Sequence, residues 1–117
     1  MHNFEHLDVY NKSLDIVDRI YGVVGAFPRE ELFSLSDQFR RAATSIVLNI
    51  AEGSGRSRKE FAHFLTVSRS SAYECSAIAE IARRRTYVSE TEFKELYREL
   101  EVIIKMINKL RQSIREL

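Results

Sequence analysis

Four polar side chains recur at helical spacing within the segment QFRRAATSIVLNIAEGSGR, which spans residues 38–56. They are Arg41, Ser45, Asn49 and Glu52, and most of their neighbours are small or apolar. A charged group that is desolvated without a partner is strongly unfavourable, so such groups are expected to pair with one another. We therefore predict a structural polar network that orients helices or subunits. A ligand site or a nucleic-acid contact is the alternative. The group has a carboxylate but no base or nucleophile at helical spacing, so it does not predict catalysis.

Basic side chains form a second candidate site. They lie near the start of the predicted third helix and near the end of the predicted fourth, which meet at one end of an antiparallel bundle. Clustered cations suit phosphate contacts, because binding there releases counterions. A solvated surface is the alternative. No aromatic platform accompanies the cations, so base stacking and sequence readout are not predicted. The candidate nucleic-acid-binding residues are Arg56, Arg58, Lys59, Lys109, Arg111 and Arg115.

The remaining reactive side chains do not predict a catalytic, cofactor or metal site. His2 and His6 are four residues apart, a spacing that can hold a metal on a helix, but a third ligand is missing. His63 stands alone and is interpreted as a surface or interface residue. Cys75 lies on a line of small residues and is interpreted as a packing residue. The glycines at 53–55 lack the strand and the lysine of a phosphate-binding loop.

Four helices must position these groups. The 117 residues contain one proline and four glycines, and no segment alternates as a strand would. The capping-box patterns SRKE at 57–60 and SETE at 89–92 start the third and fourth helices. Ser34 or Ser36 caps the second helix, and Gly53 is expected to stop it. The helices are predicted over about 7–26, 35–52, 57–84, and from 89 nearly to the C-terminus.

Apolar spacing gives each helix a core face. The fourth helix carries two heptad series, which specify a coiled-coil-like seam: Phe93, Leu100, Ile107 and Ile114, and Leu96, Ile103, Leu110 and Leu117. The third helix has large residues at one end of its inward line and small ones along the rest, so a neighbour is expected to approach closely. This line comprises Phe61, Phe64, Leu65, Ser68, Ser71, Ala72, Cys75, Ala79 and Ala82.

The first helix has a wider apolar arc than one bundle seam needs. It carries two sets of apolar residues, and we expect one set to face a second subunit. The outer face of the second helix is also poor in charge, which likewise predicts a homo-oligomer. The two sets on the first helix are Leu7, Tyr10, Leu14, Val17, Tyr21 and Val24, and Val9, Ile16, Ile20, Val23 and Phe27.

These elements predict a single all-α domain over residues 1–117, an antiparallel up-down-up-down four-helix bundle. Hydrophobic residues make up 44% and charged residues 30%, which is typical of a globular protein and not of a disordered one. The net charge of +1 gives no global attraction to nucleic acid, so such binding requires a local patch. A single cysteine, no signal peptide and no membrane-spanning run indicate a cytoplasmic protein without membrane contact.

Residues 27–65 also carry a recognisable pattern. Its features are Phe27, Pro28, Glu31, Leu35, Gln38, Arg40, Arg41, Ala42, Ala43, Ser45, Ile46, Asn49, Ile50, Ala51, Glu52, Gly53, Arg56, Phe61, Phe64 and Leu65. This pattern resembles the bacterial four-helix-bundle family whose first members were found encoded in intervening sequences of large-subunit ribosomal RNA genes. The accessory variability determinant of diversity-generating retroelements is a distant relative. The likeness extends over all four helices.

The resemblance implies a bundle that assembles as a ring, with a homopentamer as the expected form. It also implies a non-enzymatic protein that binds RNA, DNA or a nucleic-acid enzyme through basic surfaces. A purely structural homo-oligomeric interaction module is the alternative function. One departure is Val47, where the family is expected to have a proline that would kink the second helix. Its loss is expected to straighten that helix without changing the fold.

Overall fold

The computed structural model describes residues 1–116, with side chains described through Arg115, and four long helices dominate this part of the chain. Short 3-10 helices precede the first long helix and lie between the first and the second, at Asn3–His6 and Arg29–Glu31. No strand occurs among the described residues, which confirms the all-α prediction. The long helices are α1 (Asp8–Val24), α2 (Leu35–Ser54), α3 (Arg58–Arg84) and α4 (Glu90–Glu116).

Each helix packs against the helices next to it in the chain, and α1 closes the bundle by packing against α4. Arg19 of α1 pairs with Glu95 of α4 and, at 3.0 Å, with Glu99. The described chain measures 46 × 23 × 21 Å. A helix of 27 residues is about 40 Å long, so α3 and α4 run nearly the full length of the molecule. The predicted up-down-up-down arrangement is confirmed.

The core consists of apolar side chains from all four helices. The two heptad series of α4 face inward as predicted, although Phe93 and Leu110 are only partly buried and Leu117 lies outside the described residues. Burying a large aliphatic side chain contributes roughly 1.5–3 kcal/mol, so this face of α4 is a major source of stability. The largest fully buried side chains include Ile16, Ile20, Phe39, Ile46, Ile50, Leu65, Leu96, Leu100, Ile103 and Ile107.

Only one of the two apolar sets on α1 belongs mainly to the core. Ile16 and Ile20 are fully buried, whereas Leu14 and Tyr21 are 38% and 49% exposed. The second set is therefore the inward one, and the first set is left partly uncovered in the single chain. The exposed surfaces of Leu14 and Tyr21 are therefore available to a neighbouring molecule.

Small residues allow α2 and α3 to lie close together. Ser68, Ala72 and Cys75 are fully buried on the facing side of α3, as the pattern of small residues predicted. The hydroxyl of Ser68 donates to the backbone carbonyl of Ile46 at 2.8 Å. A side chain of one helix reaches the backbone of the other, which requires a short distance between the two helices.

The helix ends partly follow the sequence-based expectation. At Ser89 the capping box is reciprocal, because its hydroxyl accepts from the Glu92 N–H and the Glu92 carboxylate accepts from the Ser89 N–H, both at 3.1 Å. Ser57 accepts from the N–H of Glu60 at 3.3 Å. Ser34 occupies the N-cap position of α2, but its hydroxyl donates to Glu31 at 2.7 Å instead of capping the helix.

The prediction that Gly53 stops α2 is wrong. The helix continues to Ser54, and Gly53 is helical and buried. A Cβ atom at this position would lie 2.6 Å from Phe64 Cβ and 2.9 Å from Phe61 Cδ1. Glycine is required here for close approach and not for a turn. Val47 is buried within an uninterrupted α2.

The Glu31 carboxylate ties the connection between α1 and α2 to the connection between α3 and α4. It accepts hydrogen bonds from the hydroxyls of Ser34 at 2.7 Å and Tyr87 at 2.8 Å. These two bonds, that of Ser34 first, lower the pKa of Glu31. A lowered carboxyl pKa stabilises the fold at neutral pH, and this contribution is lost as the pH falls through the acid range.

We expect Gly53→Ala to lower the free energy of unfolding by about 1–3 kcal/mol, because the new methyl group overlaps Phe64 and Phe61. Gly22→Ala is the matched control, since nothing lies within 4 Å of a Cβ atom built on this helical glycine. The control is expected to raise stability by up to about 1 kcal/mol through helix propensity. Urea unfolding followed by circular dichroism measures both changes. Equal stability of the two variants would contradict the close-approach argument.

Candidate nucleic-acid interface

The four predicted network residues do not form one network within a single chain. The Arg41 side chain is 81% exposed, and its Nε donates to Asp37 at 3.0 Å. The Glu52 side chain is 54% exposed and pairs with Arg56 at 2.6 Å. Both point away from the core because, at 100° per residue, they lie opposite the inner face of α2. The single chain therefore leaves these two side chains exposed, and their role in a network between subunits stays a prediction.

The other two network residues form a contact between α2 and α3. The Asn49 amide donates to the Ser45 carbonyl at 2.8 Å and to the Ser45 hydroxyl at 3.0 Å. The hydroxyl of Ser71 on α3 donates to the same Ser45 hydroxyl at 2.8 Å. Ser45 and Asn49 lie at the flank of α2 that turns toward α3, so they reach this partner while Arg41 and Glu52 do not.

Four of the six predicted nucleic-acid-binding residues meet in one groove of about 730 Å³, which we call the cationic groove. One wall is the first part of α3, where residues on successive turns share a face. The other wall is the last part of α4. The residues that line the groove are Arg58, Lys59, Ala62, His63, Thr66, Arg111, Ile114 and Arg115.

A side-chain ladder between α3 and α4 sets one boundary of this groove. Arg111 donates through Nε to the Thr66 hydroxyl at 2.9 Å, and Arg69 donates to Asn108 one turn further along at 2.7 Å. The Thr66 hydroxyl in turn donates to the backbone carbonyl of Ala62 at 3.1 Å. These hydrogen bonds hold the Arg111 guanidinium through its Nε. Its two terminal nitrogens remain available to an anion.

The charge of the groove is not compensated within the described side chains. Carboxylates are absent from its lining, and Arg58, Lys59 and Arg115 form no ion pair among residues 1–115. The carboxylate in the first turn of α3, Glu60, accepts from the hydroxyl of Ser57 at 2.9 Å and from Arg56 at 3.3 Å. These two bonds, in that order, lower the pKa of Glu60 and hold the carboxylate away from the groove.

Arg56 and Lys109 do not join the cationic groove. Arg56 lies between the carboxylates of Glu52 and Glu60 and over the ring of Phe64, 5.1 Å from its centre. The two carboxylates, Glu52 first, raise the pKa of Arg56 and satisfy its charge. Lys109 lines a separate cavity between α1 and α4. The prediction that the six basic residues lie at one end of the bundle is correct. Arg56 and Lys109 face other sides of that end and so lie apart from the four residues of the groove.

The sequence interpretation missed His63 and Thr66 as parts of this site. His63 follows Lys59 by four residues, which places both on one face of α3. This spacing was the sequence signal that could have added His63 to the site. Only the packing of α4 opposite α3 shows that these residues line one groove.

Other reactive groups lie apart from the groove. Burial raises the pKa of the Cys75 thiol to about 12, with a smaller contribution from the charge of Glu74. The thiol sits in the core, which confirms its role in packing. His2 lies at the start of the first 3-10 helix. Groups of three or more metal-binding side chains do not occur among the described residues, and none of the helices described is long and apolar enough to cross a membrane.

Comparison with known proteins gives the family. A family model described as 23S rRNA-intervening sequence protein matches residues 5–109. The chain belongs to this family. A crystal structure of a protein of unknown function from the S23 ribosomal protein family of Bacteroides thetaiotaomicron is 26% identical, with a TM-score of 0.82. The match covers 89% of this chain and 95% of that chain. Among curated proteins, none matches significantly.

We expect Arg41→Ala to lower the free energy of unfolding of the single chain by no more than about 0.5 kcal/mol. The reason is that the Arg41–Asp37 pair is exposed. Ser68→Ala is the contrasting variant and is expected to cost about 1 kcal/mol, because it removes a buried hydrogen bond to Ile46. Chemical unfolding at protein concentrations low enough to keep the chain monomeric measures both. A loss of several kcal/mol for Arg41→Ala under those conditions would show that the guanidinium is buried.

Proposed function

We propose that this protein is a non-enzymatic, ring-forming homo-oligomer of the bacterial cytoplasm that binds nucleic acid through the cationic groove. One observation carries the proposal. Four cations from two helices converge on a concave surface without a described carboxylate among them. In a chain with a net charge of only +1, this distribution concentrates positive potential at one place.

Phosphate is the ligand that such a groove suits. Arginine presents several donors in a planar fork that matches phosphate oxygens, and lysine adds a mobile point charge. Contacts of this kind bind the backbone and carry no base sequence, so little sequence preference is expected. The matching family model names 23S rRNA, and the similar crystal structure is assigned to a ribosomal protein family. These descriptions support RNA as the first nucleic acid to test, with DNA as the comparison.

Assembly would repeat the groove several times in one particle. Leu14 and Tyr21 on α1 and Leu48 on α2 are exposed in the single chain, and Leu48 is 65% exposed. These side chains lie on the faces that the sequence predicted to meet other subunits. A ring of identical subunits converts weak contacts at each groove into stronger overall binding. The proposed number of five subunits rests on the family resemblance described above. A nucleic-acid enzyme is a further proposed partner of this assembly.

A purely structural interaction module is the second candidate function. The exposed apolar side chains on α1 and α2 favour it, since they suit assembly and require no nucleic acid. In this case Arg41 and Glu52 would serve the contacts between subunits only. Salt-dependent binding to nucleic acid distinguishes the two candidates.

We expect light scattering at micromolar concentration to show a homo-oligomer, with five subunits as the proposed number. Leu48→Asp is expected to dissociate it, because a carboxylate at an apolar contact is desolvated without a partner. Val102→Asp makes the same type of change at an exposed position of α4 and is expected to leave the assembly intact. A wild-type protein found only as a monomer would refute the oligomer. A stable dimer or tetramer would refute the ring size alone.

We expect Arg58→Glu together with Lys59→Glu to abolish binding to a structured RNA in a fluorescence anisotropy titration. Both residues are exposed in the first turn of α3, where acidic side chains favour the helix, so the fold should persist. Lys94→Glu with Arg98→Glu is the matched control, since it changes the net charge equally on another exposed part of the surface.

The salt dependence gives a second measurement on the same protein. Four phosphate contacts at one groove predict a slope of roughly −3 to −4 for log affinity against log salt, so doubling the salt should weaken binding by about sevenfold to twelvefold. Absence of binding at low salt would refute the proposed function. Equal loss of binding in both double variants would show that net charge, and not the groove, is responsible.

A further inference from the structure

The shape of the cationic groove selects one form of nucleic acid. The groove lies between two packed helices, whose axes are typically about 8–10 Å apart. Its volume of about 730 Å³ is that of a site for a small ligand or a short chain segment. A double helix is wider than this space and would contact only the rim. A single strand can enter, so that cations on both walls reach its backbone.

Basic side chains stand on both walls of the groove. Arg58 and Lys59 stand on the α3 wall, and Arg111 and Arg115 on the α4 wall. Arg111 is held through Nε by Thr66, so it offers a fixed fork while the other three can adjust. Ala62 and Ile114 provide apolar surface between the two walls. This arrangement suits a flexible polyanion that presents one phosphate after another.

His63 is the titratable member of the groove. It is exposed and lines the groove, and its ring packs edge-on against that of Phe64, with 5.7 Å between the ring centres and 70° between the ring planes. The charged groups that face it are Arg58 and Lys59 on its own helix and Arg111 and Arg115 on α4. All four are basic side chains, and the described lining of the groove contains no acidic one.

We infer that the cationic groove is a site for consecutive phosphates of a single strand, in which the His63 imidazole supplies a fifth, pH-dependent positive charge. The inference rests on the proposed function. An imidazole in proteins gains its proton between about pH 8 and pH 5. A bound phosphate favours the protonated ring, so binding takes up a proton. Affinity therefore increases as the pH falls through this range and decreases as the pH rises.

The test uses an oligouridylate with a 5′-hydroxyl end, titrated by fluorescence anisotropy at pH 6 and pH 8 and constant ionic strength. Phosphodiesters keep a fixed charge in this range, whereas a terminal phosphate would titrate near pH 6. The wild-type protein is expected to bind more tightly at pH 6, by up to about tenfold if binding shifts an imidazole pKa by one unit. His63→Gln keeps a hydrogen-bonding side chain but should remove this difference.

His6→Gln is the matched control, because His6 is exposed and lies outside the groove. It is expected to keep the pH dependence of the wild type. A pH dependence that survives in His63→Gln would overturn the inference. So would equal affinity for the oligouridylate and for its duplex with oligoadenylate.

ATP, added as a competitor, distinguishes a strand from a nucleoside triphosphate as the source of the phosphates. Tighter binding of the oligouridylate supports the strand, and tighter binding of ATP overturns it. The proposed function is judged separately by the salt dependence and by the Arg58→Glu, Lys59→Glu variant. If that variant abolishes RNA binding while His63→Gln retains the pH effect, the proposed function stands and this inference falls.

Discussion

The close approach of α2 and α3 is the contact on which the positions of the other elements depend. Small residues on α3 let Ser68 reach the backbone of α2, and the absence of a side chain at Gly53 makes room for Phe61 and Phe64. A larger residue at these points would force the two helices apart, because a packed interior has little free volume. Phe61 and Phe64, which pack against Gly53, belong to the first two turns of α3 and hold this end of the helix against α2. The position of the α3 wall of the cationic groove therefore depends on the packing of α3 against α2.

The distribution of charge at the α3 end of the groove follows from competition among neighbouring residues. Arg56 forms ion pairs with the carboxylates of Glu52 and Glu60, and the Ser57 hydroxyl also donates a hydrogen bond to Glu60. Because these acids are engaged, Arg58 and Lys59 remain without a described acidic partner. A nearly neutral chain thus carries a strongly positive groove. Such a groove attracts an anion only weakly at long range. The attraction becomes strong at contact, where water and counterions are displaced.

Membership of the 23S rRNA-intervening sequence protein family and the likeness to the Bacteroides structure agree with a bundle in which all four helices are shared. Fold alone does not imply function, so the functional argument rests on the groove. Two surfaces of the bundle have different chemistry. The exposed apolar residues of α1 and α2 suit contacts between subunits, whereas the end of the α3–α4 pair suits an anion. A molecule that uses both would assemble through its sides and bind through one end.

Hydrophobic spacing and capping patterns determined the four helices, because these signals are local and each involves residues within a few turns. The reciprocal cap at Ser89 and the heptads of α4 could be read directly from the sequence. Tertiary structure alone decided which of two apolar sets on α1 is buried, and why Gly53 must be a glycine. It also decided that Arg58 and Arg111 share a groove while Arg56 does not. These outcomes depend on which face each helix turns to its neighbour, and residues distant in the chain meet only after the helices have packed.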